Sequence, residues 1–574
     1  MSEQDVDQAL DQAQAPDPLE QAGYGFRAAG PCPVTALGHR GGVYFYLSPR
    51  GELRTLAARE HNKLGIISLF EGDLEWCRIA APSFDKEGAP RPGSWSPDAI
   101  ASYLMRACGQ EGLYDPTMPV RSLGVWRHRN GAPIVHCGSD LYVDGERQPA
   151  GVKLDGALYP AAARIAPPAP EPADREIGRK IAQGMRELWN FEDPVGADLV
   201  MGWMGAAMLG AFPSWRAHIY VTAERGAGKT WLANLVSAGL GAQAHASMNN
   251  YTEAGLRQSL TGEARALVLD ESEHDESSRV QAVIELLRHM SSGEGARAVR
   301  GSAGGSAQTF TVTGCAYLSS ILHVPMKPQD RSRIAVVRLC QLEGGAESTD
   351  RSDRALALIK YAGEQSAALR ARALANAPLY VELGQRYRRA FLERGCDARQ
   401  ADQLATLAAG RDLMTQDEVP DPEALAAEVE AFDHLIESAR EHDDEDGEGQ
   451  LCLTHLYSTP VDTWRSGERE TVSEIVMSAM QSAGVESRKA LGKIGLKLVD
   501  SERADRPTYL AVASNHQGLA RIFNGTRWER GAWSQALRYL PGAMAAEYPL
   551  RFAGVRSRAT LVPEAALPRD HDEL

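Results

Sequence analysis

The stretch "AERGAGKTW" (223–231) has the residue types and spacing that hold a chain of phosphates. The apolar run "HIYVT" precedes it and "LANLVSAGLG" follows, so it reads as the loop between a strand and a helix. In such a loop Gly226 and Gly228 turn backbone N–H groups inward, and the helix N-terminus adds its dipole. Lys229 can then reach the β- and γ-phosphates, while the Thr230 hydroxyl can hold Mg2+. Ala223, Glu224, Arg225, Ala227 and Trp231 complete the candidate nucleotide-binding set, with Ala223 standing where many phosphate loops have glycine.

Hydrolysis needs a second half, and it lies downstream. "ARALVLDES" puts Asp270 and Glu271 at the end of an apolar strand, one carboxylate for the Mg2+ shell and a neighbour to orient the attacking water. The competing reading is an acidic pair that merely ends a strand in solvent. "ARAVRG" and "AQTFTVTG" then flank a Ser-Ala-Gly-Gly tip, a hairpin with Arg297 and Arg300 on one arm. Guanidinium groups there can track DNA phosphates without reading bases, although an exposed basic loop would look the same. "CAYLSS" ends a further strand on Ser319 and Ser320, with Ser320 as the candidate sensor of the γ-phosphate. "KPQDRSRIAVVRL" sets Arg331 and Arg333 before another strand, where an arginine can reach the γ-phosphate of a neighbouring subunit, Arg333 being favoured. Surface pairing with Asp330 is the alternative.

The elements that must position these groups occupy part of a 574-residue chain, long enough for several cores. Residues 1–33 read as a disordered acidic tail with no apolar signal region, which predicts a cytoplasmic protein of a bacterial host cell. Residues 34–163 read as a mixed α+β accessory domain in which "GVWRHRNGAPIVHC" forms a hairpin with Asn130-Gly131 at its tip. His128, His136 and Cys137 on that hairpin are read as structural, since no outside ligand cluster accompanies them. The Pro/Ala-rich "RIAPPAPEPAD" (164–174) marks a linker. Residues 175–345 alternate helices with short apolar strands, as a three-layer α/β domain does. Residues 346–449 are Ala/Leu/Arg-rich and helical, ending in the acidic "EHDDEDGEG", and 450–574 form a last, smaller domain.

"LVMGWMGAAMLGAFPSW" (199–215) is uncharged but too short and too glycine-rich to span a bilayer, so it reads as a buried helix and no membrane is expected as partner. Eight cysteines without a CxxC pair argue against a zinc ribbon or a disulfide framework. The net charge of −15 means that nucleic acid must meet a local basic surface.

In order and type, these motifs resemble the helicase module of phage and plasmid primase-helicases, in the superfamily 3 branch of the AAA+ P-loop ATPases, over roughly 180–345. The adjacent Asp270-Glu271 pair points to that group more than to RecA-like motors. The resemblance implies a homo-oligomeric, hexameric ring that hydrolyses Mg-ATP between subunits and translocates on single-stranded DNA with a hairpin facing the channel. It carries over Lys229 and Thr230 as phosphate loop, Asp270 and Glu271 as acidic motif, and Ser320 as sensor, with Arg333 near the finger. The family usually has Asn at the sensor, and the Asp330–arginine spacing here is tighter than its pattern.

"YLAVASNHQGLARIFNGTRW" and "ALRYLPGAM" are similar to the tails of such proteins. There, "ETVSEIVMSAM" and "ESRKALGKIGLKLVD" read as two helices before the strand "PTYLAVAS", compatible with a winged-helix-like DNA-binding domain. In the second helix Lys489, Lys493 and Lys497 step along one face, opposite Leu491, Ile494 and Leu498: a stripe suited to DNA, or any solvated lysine face. Residues 1–165 show no zinc-binding cysteine set and no acidic constellation for polymerisation, so priming is assigned to a separate primase or polymerase. The sequence thus predicts a multidomain α/β chain whose first reading is a DNA motor. A replication initiator or helicase loader is the second, and a protein-directed AAA+ regulatory or defence ATPase the third.

Overall fold

The computed structural model describes residues 29–574, apart from 225, 246–250, 271–276, 292–295, 302–306, 321–325, 327, 343–346, 439–446, 463–468, 482–484, 500–507 and 569–574. Most of the acidic tail and of the 441–449 break therefore lies outside the described residues. The chain is mixed α/β and divides into two compact units that meet at Ala431 and Phe432.

The first unit is built on a four-stranded parallel sheet in the order Leu267–Asp270, Ala316–Ser320, His218–Ala223, Ile334–Leu339. Every residue of His218–Ala223 is buried, which is why this run is apolar almost throughout rather than alternating. The glycine-rich segment 199–208 lies within the helix Gly196–Met208, buried at every residue except Asp198. Its partner is the helix Ala398–Thr415, and the two backbones touch. A Cβ added to Gly202 would lie 1.9 Å from the Leu407 carbonyl oxygen, and one on Gly410 would lie 2.0 Å from that of Gly202. The helix is apolar all round because it is enclosed, and it carries glycine where the backbones meet. Among the described residues no helix is long and apolar enough to cross a membrane.

Residues 35–159 form small antiparallel sheets. Thr35–Arg40, Val43–Leu47 and Leu53–Ala57 make one, packed with the helix Pro97–Glu111; Gly124–Arg127, Pro133–His136, Asp140–Val143 and Glu146–Pro149 make a meander. The hairpin at Asn130-Gly131 is present, closed by Gly131 N–H donating to the His128 carbonyl at 2.9 Å. This region is sewn to the parallel-sheet region. Ala264 donates to Leu123 at 2.8 Å, Ala211 donates to Val125 at 2.9 Å, and Ala264 shares a core with Trp126, Ile134 and Tyr159.

The Pro/Ala segment also differs from a free linker. It runs extended beside the helix Glu347–Ala375, with Ala169 and Ala173 N–H donating to the Ala367 and Ala368 carbonyls at 3.0 and 2.9 Å. Buried Arg370 and Arg372 on that helix donate to Ala166 and Ala173. Proline removes donors but leaves every carbonyl available, so the same composition serves a strap as well as a spacer.

The second unit has its own core, from Leu453 through Trp533 to Val562. The helices Val472–Met480 and Val485–Ile494 lead into the antiparallel pair Leu496–Val499 and Tyr509–Ala513, continued by Ala559–Pro563 and Met544–Ala545. The second helix stops at Ile494, and Gly495 at φ +96° turns the chain. Lys497 and Leu498 therefore sit on a strand, and the three lysines form no single helical stripe. A helical period read through a helix–turn–strand boundary is correct only up to the turn.

Candidate nucleotide site

All four parallel strands point the same way, so their carboxyl ends form one edge, where a doubly wound sheet places its ligand. The strand His218–Ala223 delivers the candidate phosphate loop to that edge. Gly226 and Gly228 have φ of +89° and +82°, the left-handed backbone that aims successive N–H groups inward, and Gly228 is the N-cap of the helix Lys229–Leu240. Ala227 is buried, Lys229 and Trp231 half-buried, and Glu224 and Thr230 exposed at the mouth. Arg225 lies outside the described residues. Trp189, which ends the helix Arg175–Leu188, donates its indole N–H to the Gly228 carbonyl at 2.9 Å. A Cβ at Gly228 would come within 3.1 Å of that same nitrogen and 3.4 Å of Leu342. Trp189 and Leu342 thus wall the loop.

Asp270 is the last residue of its strand and stands in register with Ser319 on the neighbouring strand. The Ser319 hydroxyl donates to the Asp270 carboxylate at 2.5 Å. Ser319 is itself in register with Val221 of the phosphate-loop strand, so the serine strand spaces the carboxylate from the loop by one strand width, about 4.8 Å on each side. Ser320 is hydrogen-bonded to Tyr220 across 2.9 Å. Of the two serines that end this strand, Ser319 is the one that meets the acidic residue. Trp189 and Leu342 carry no local signal, because each acts through a contact made far along the chain. Glu271 lies outside the described residues.

Arg331 ends the short helix Pro328–Arg331, and Arg333 immediately precedes the strand Ile334–Leu339. Ile334 pairs with His218, the first residue of the phosphate-loop strand, which puts Arg333 at the amino edge of the sheet. It is a full strand, about 17–20 Å, from its own phosphate loop. Burial lowers the Arg333 pKa from the ordinary arginine value, and the nearby Arg399 and Arg288 charges add to this. Asp330 is buried and accepts from Arg288 at 3.4 Å.

The hairpin Ala296–Gly301 with Ala307–Val312 is formed, Arg297 opposite Thr311 and Arg300 opposite Gln308; its tip lies outside the described residues. His136 is buried, with Nε2 at 2.8 Å from the Pro160 carbonyl and Nδ1 accepting from Gly138 N–H, while His128 faces Asp155. Among the described residues no group of three or more His, Cys, Asp or Glu side chains is placed to hold a metal.

In the second unit, Lys489 pairs with Glu486 at 2.7 Å, but Lys493 opens onto a groove of about 1210 Å³ that also takes in Arg521, Arg556 and Arg558. Among the described residues Asp462 is the one acid in its lining. The three arginines come from a helix and a hairpin distant from Lys493 in sequence, so no local pattern announces the groove.

No protein-family profile matches the sequence, and no curated protein matches it. Among solved structures the chain is similar to SCCmec type IV Cch, described as an active helicase, at 10% identity and a TM-score of 0.47, covering 91% of each chain. It is also similar to the apo C-terminal region of NrS-1 (305–718), at 12% identity and a TM-score of 0.31, covering 92% of this chain and 96% of that one.

Proposed function

We propose that the protein is a P-loop ATPase of the AAA+/superfamily 3 type that drives unwinding of, or translocation on, DNA in a phage or mobile-element replication system. The observation that carries the reading is the convergence, at one edge of a parallel sheet, of a left-handed glycine loop, a helix N-terminus and the Asp270–Ser319 pair. This set fits a nucleoside triphosphate with Mg2+. The loop N–H groups and Lys229 would hold phosphates, and Thr230 and Asp270 would hold the metal, which withdraws charge from the phosphoryl group. Ser319 fixes the Asp270 carboxylate in one rotamer, so it is a positioning residue.

Arg333 is too far from its own loop to serve the nucleotide bound there, so its role requires a neighbouring subunit, which favours a ring, hexameric by the resemblance. DNA would meet the hairpin carrying Arg297 and Arg300, and the groove of Lys493, Arg521, Arg556 and Arg558 on the winged-helix-like unit, with Lys489 and Lys497 as flanking charge. The chain would work in the bacterial cytoplasm beside a separate primase or polymerase.

Fork unwinding with ATP and Mg2+ tests the proposal, with Lys229→Ala and Arg333→Ala each expected to abolish it. Mixing the two variants should restore part of the ATPase, because a Lys229→Ala subunit still lends Arg333 to an intact neighbouring loop. No restoration would refute the trans arginine. DNA-stimulated hydrolysis without strand displacement would instead indicate an initiator or loader, and hydrolysis indifferent to DNA a protein-directed switch.

A further inference from the structure

At the amino edge of the parallel sheet, away from the phosphate loop, lies a cavity of about 260 Å³. Among the described residues its lining includes Arg121, Arg127 and Arg216 and no Asp, Glu or Lys. In a chain with 76 acidic residues against 61 basic ones, a recess whose described lining has three guanidiniums and no carboxylate is the opposite of the average surface. Arg121 donates to the Tyr159 hydroxyl at 2.9 Å and lies 5.3 Å over the Trp126 ring; Arg127 lies 5.2 Å over the Phe212 ring. Aromatic faces orient these two guanidiniums without neutralising them, and neither forms a salt bridge among the described residues. Ser122, Thr311 and Thr313 belong to the same lining. The chemistry that fits is an oxyanion with several acceptor oxygens.

The cavity is bonded to the helix end that precedes the arginine hairpin and to the hairpin's second arm. Arg216 N–H donates to the Ser291 carbonyl at 2.7 Å and its guanidinium Nε to the Met290 carbonyl at 2.7 Å, at the end of the helix Ser277–Met290. On the hairpin's second arm, Thr311 accepts from Gly262 N–H at 2.9 Å. The volume lies below the roughly 300–1,000 Å³ of small-ligand pockets. It admits a phosphate with part of a sugar but not a whole nucleoside triphosphate.

We propose that this cavity binds a backbone phosphate of single-stranded DNA, holding the strand beside the hairpin's second arm. The inference rests on the reading of the protein as a DNA-dependent ATPase. A phosphate held there sits at one end of the strands whose other end bears the nucleotide, so strand and nucleotide act on the same sheet from opposite edges.

The test is oligonucleotide binding by the full chain, measured by fluorescence anisotropy as a function of salt, for wild type, Arg127→Gln, Arg127→Lys and the Arg121→Gln/Arg127→Gln double variant. Melting temperature and binding of a fluorescent ATP analogue report the fold and the phosphate loop. Arg127→Gln should weaken binding roughly tenfold. It should also lower the slope of log K against log salt, by about 0.7 in the double variant, which loses the one phosphate contact, with Arg127→Lys keeping the slope. Wild-type binding unchanged in affinity and slope in both glutamine variants would overturn the cavity and leave the DNA reading standing; no wild-type binding at all would overturn both. A rise in melting temperature with inorganic phosphate that Arg127→Gln abolishes, while oligonucleotide binding is untouched, would assign the site to free phosphate and overturn the DNA assignment.

Discussion

Replacing each of the two adjacent serines by alanine distinguishes a site built on Asp270 from one built on Ser320. The Ser319 hydroxyl donates to the Asp270 carboxylate at 2.5 Å from a fully buried position, a hydrogen bond to a charged acceptor. Such a bond contributes about 1.5–3 kcal/mol. If Asp270 directs Mg2+, Ser319→Ala releases its carboxylate to other rotamers, and the Mg2+ concentration for half-maximal ATPase should rise about 10- to 100-fold, the usual cost of removing a partner that orients a metal ligand. Ser320→Ala breaks a bond between two neutral hydroxyls, Tyr220 and Ser320, which contributes about 0.5–1.5 kcal/mol to folding. That variant should melt lower yet keep the wild-type Mg2+ dependence. The assay is steady-state ATPase across a Mg2+ titration at saturating ATP, with thermal unfolding alongside. A Ser320→Ala enzyme with the raised Mg2+ requirement, beside a normal Ser319→Ala enzyme, would refute the geometry argued for the site.

Three further changes follow from the same structure. Gly228→Ala puts a Cβ on a residue at φ +82° and 3.1 Å from the Trp189 indole nitrogen, so nucleotide binding should weaken by about 1–3 kcal/mol, read by titration with a fluorescent ATP analogue; wild-type affinity would refute the strained cap. His218 is fully buried, and desolvation pushes its pKa down to about 3. The unfolded chain therefore binds the extra proton between about pH 6.5 and 3, and stability present above pH 6.5 is lost on acidification, by about 2 kcal/mol between pH 7 and 5. His218→Asn, which keeps an acceptor for Ala316 N–H, should flatten that dependence in denaturant unfolding, and an unchanged slope would clear His218. Arg372→Met removes a guanidinium that donates to the carbonyls of Ala173, Leu413 and Gln416 and to Asp417. Those acceptors would be left short of donors at a cost of about 3–5 kcal/mol; a melting temperature within a degree of wild type would show the strap contributes little.

Composition proved the least reliable guide to how the chain is divided. "RIAPPAPEPAD" has the composition of a spacer, but Arg370 and Arg372, nearly 200 residues later, supply the donors that its proline-rich backbone lacks. Packing also runs across the composition boundary between 34–163 and 175–345, since Ala264 shares a core with Trp126 and Ile134. By contrast, the enclosed helix at 196–208 was legible. A segment apolar on every face with glycines spaced to let another helix approach has few places to go other than the inside. Periodicity failed at Lys489–Lys497 for a local reason: Gly495 turns the chain, and a pattern counted across it mixes two repeats.

The candidate site divides along the same line. The candidate phosphate loop is contiguous, so its glycines, lysine and threonine stand within nine consecutive residues, and Gly226 and Gly228 take the positive φ that the motif requires. Its carboxylate partner was legible by type and by its place at a strand end. Which serine meets that carboxylate was not, because it depends on the order of strands in the sheet and on their register. A strand exposes alternate residues to opposite faces, so a register of one residue more would exchange Ser319 for Ser320. Trp189 and the basic groove of Arg521, Arg556 and Arg558 belong to the same class: each is assembled from segments that only the fold brings together. Chemistry that lies within one loop can be read in one dimension, whereas chemistry shared between strands waits for the sheet to be closed.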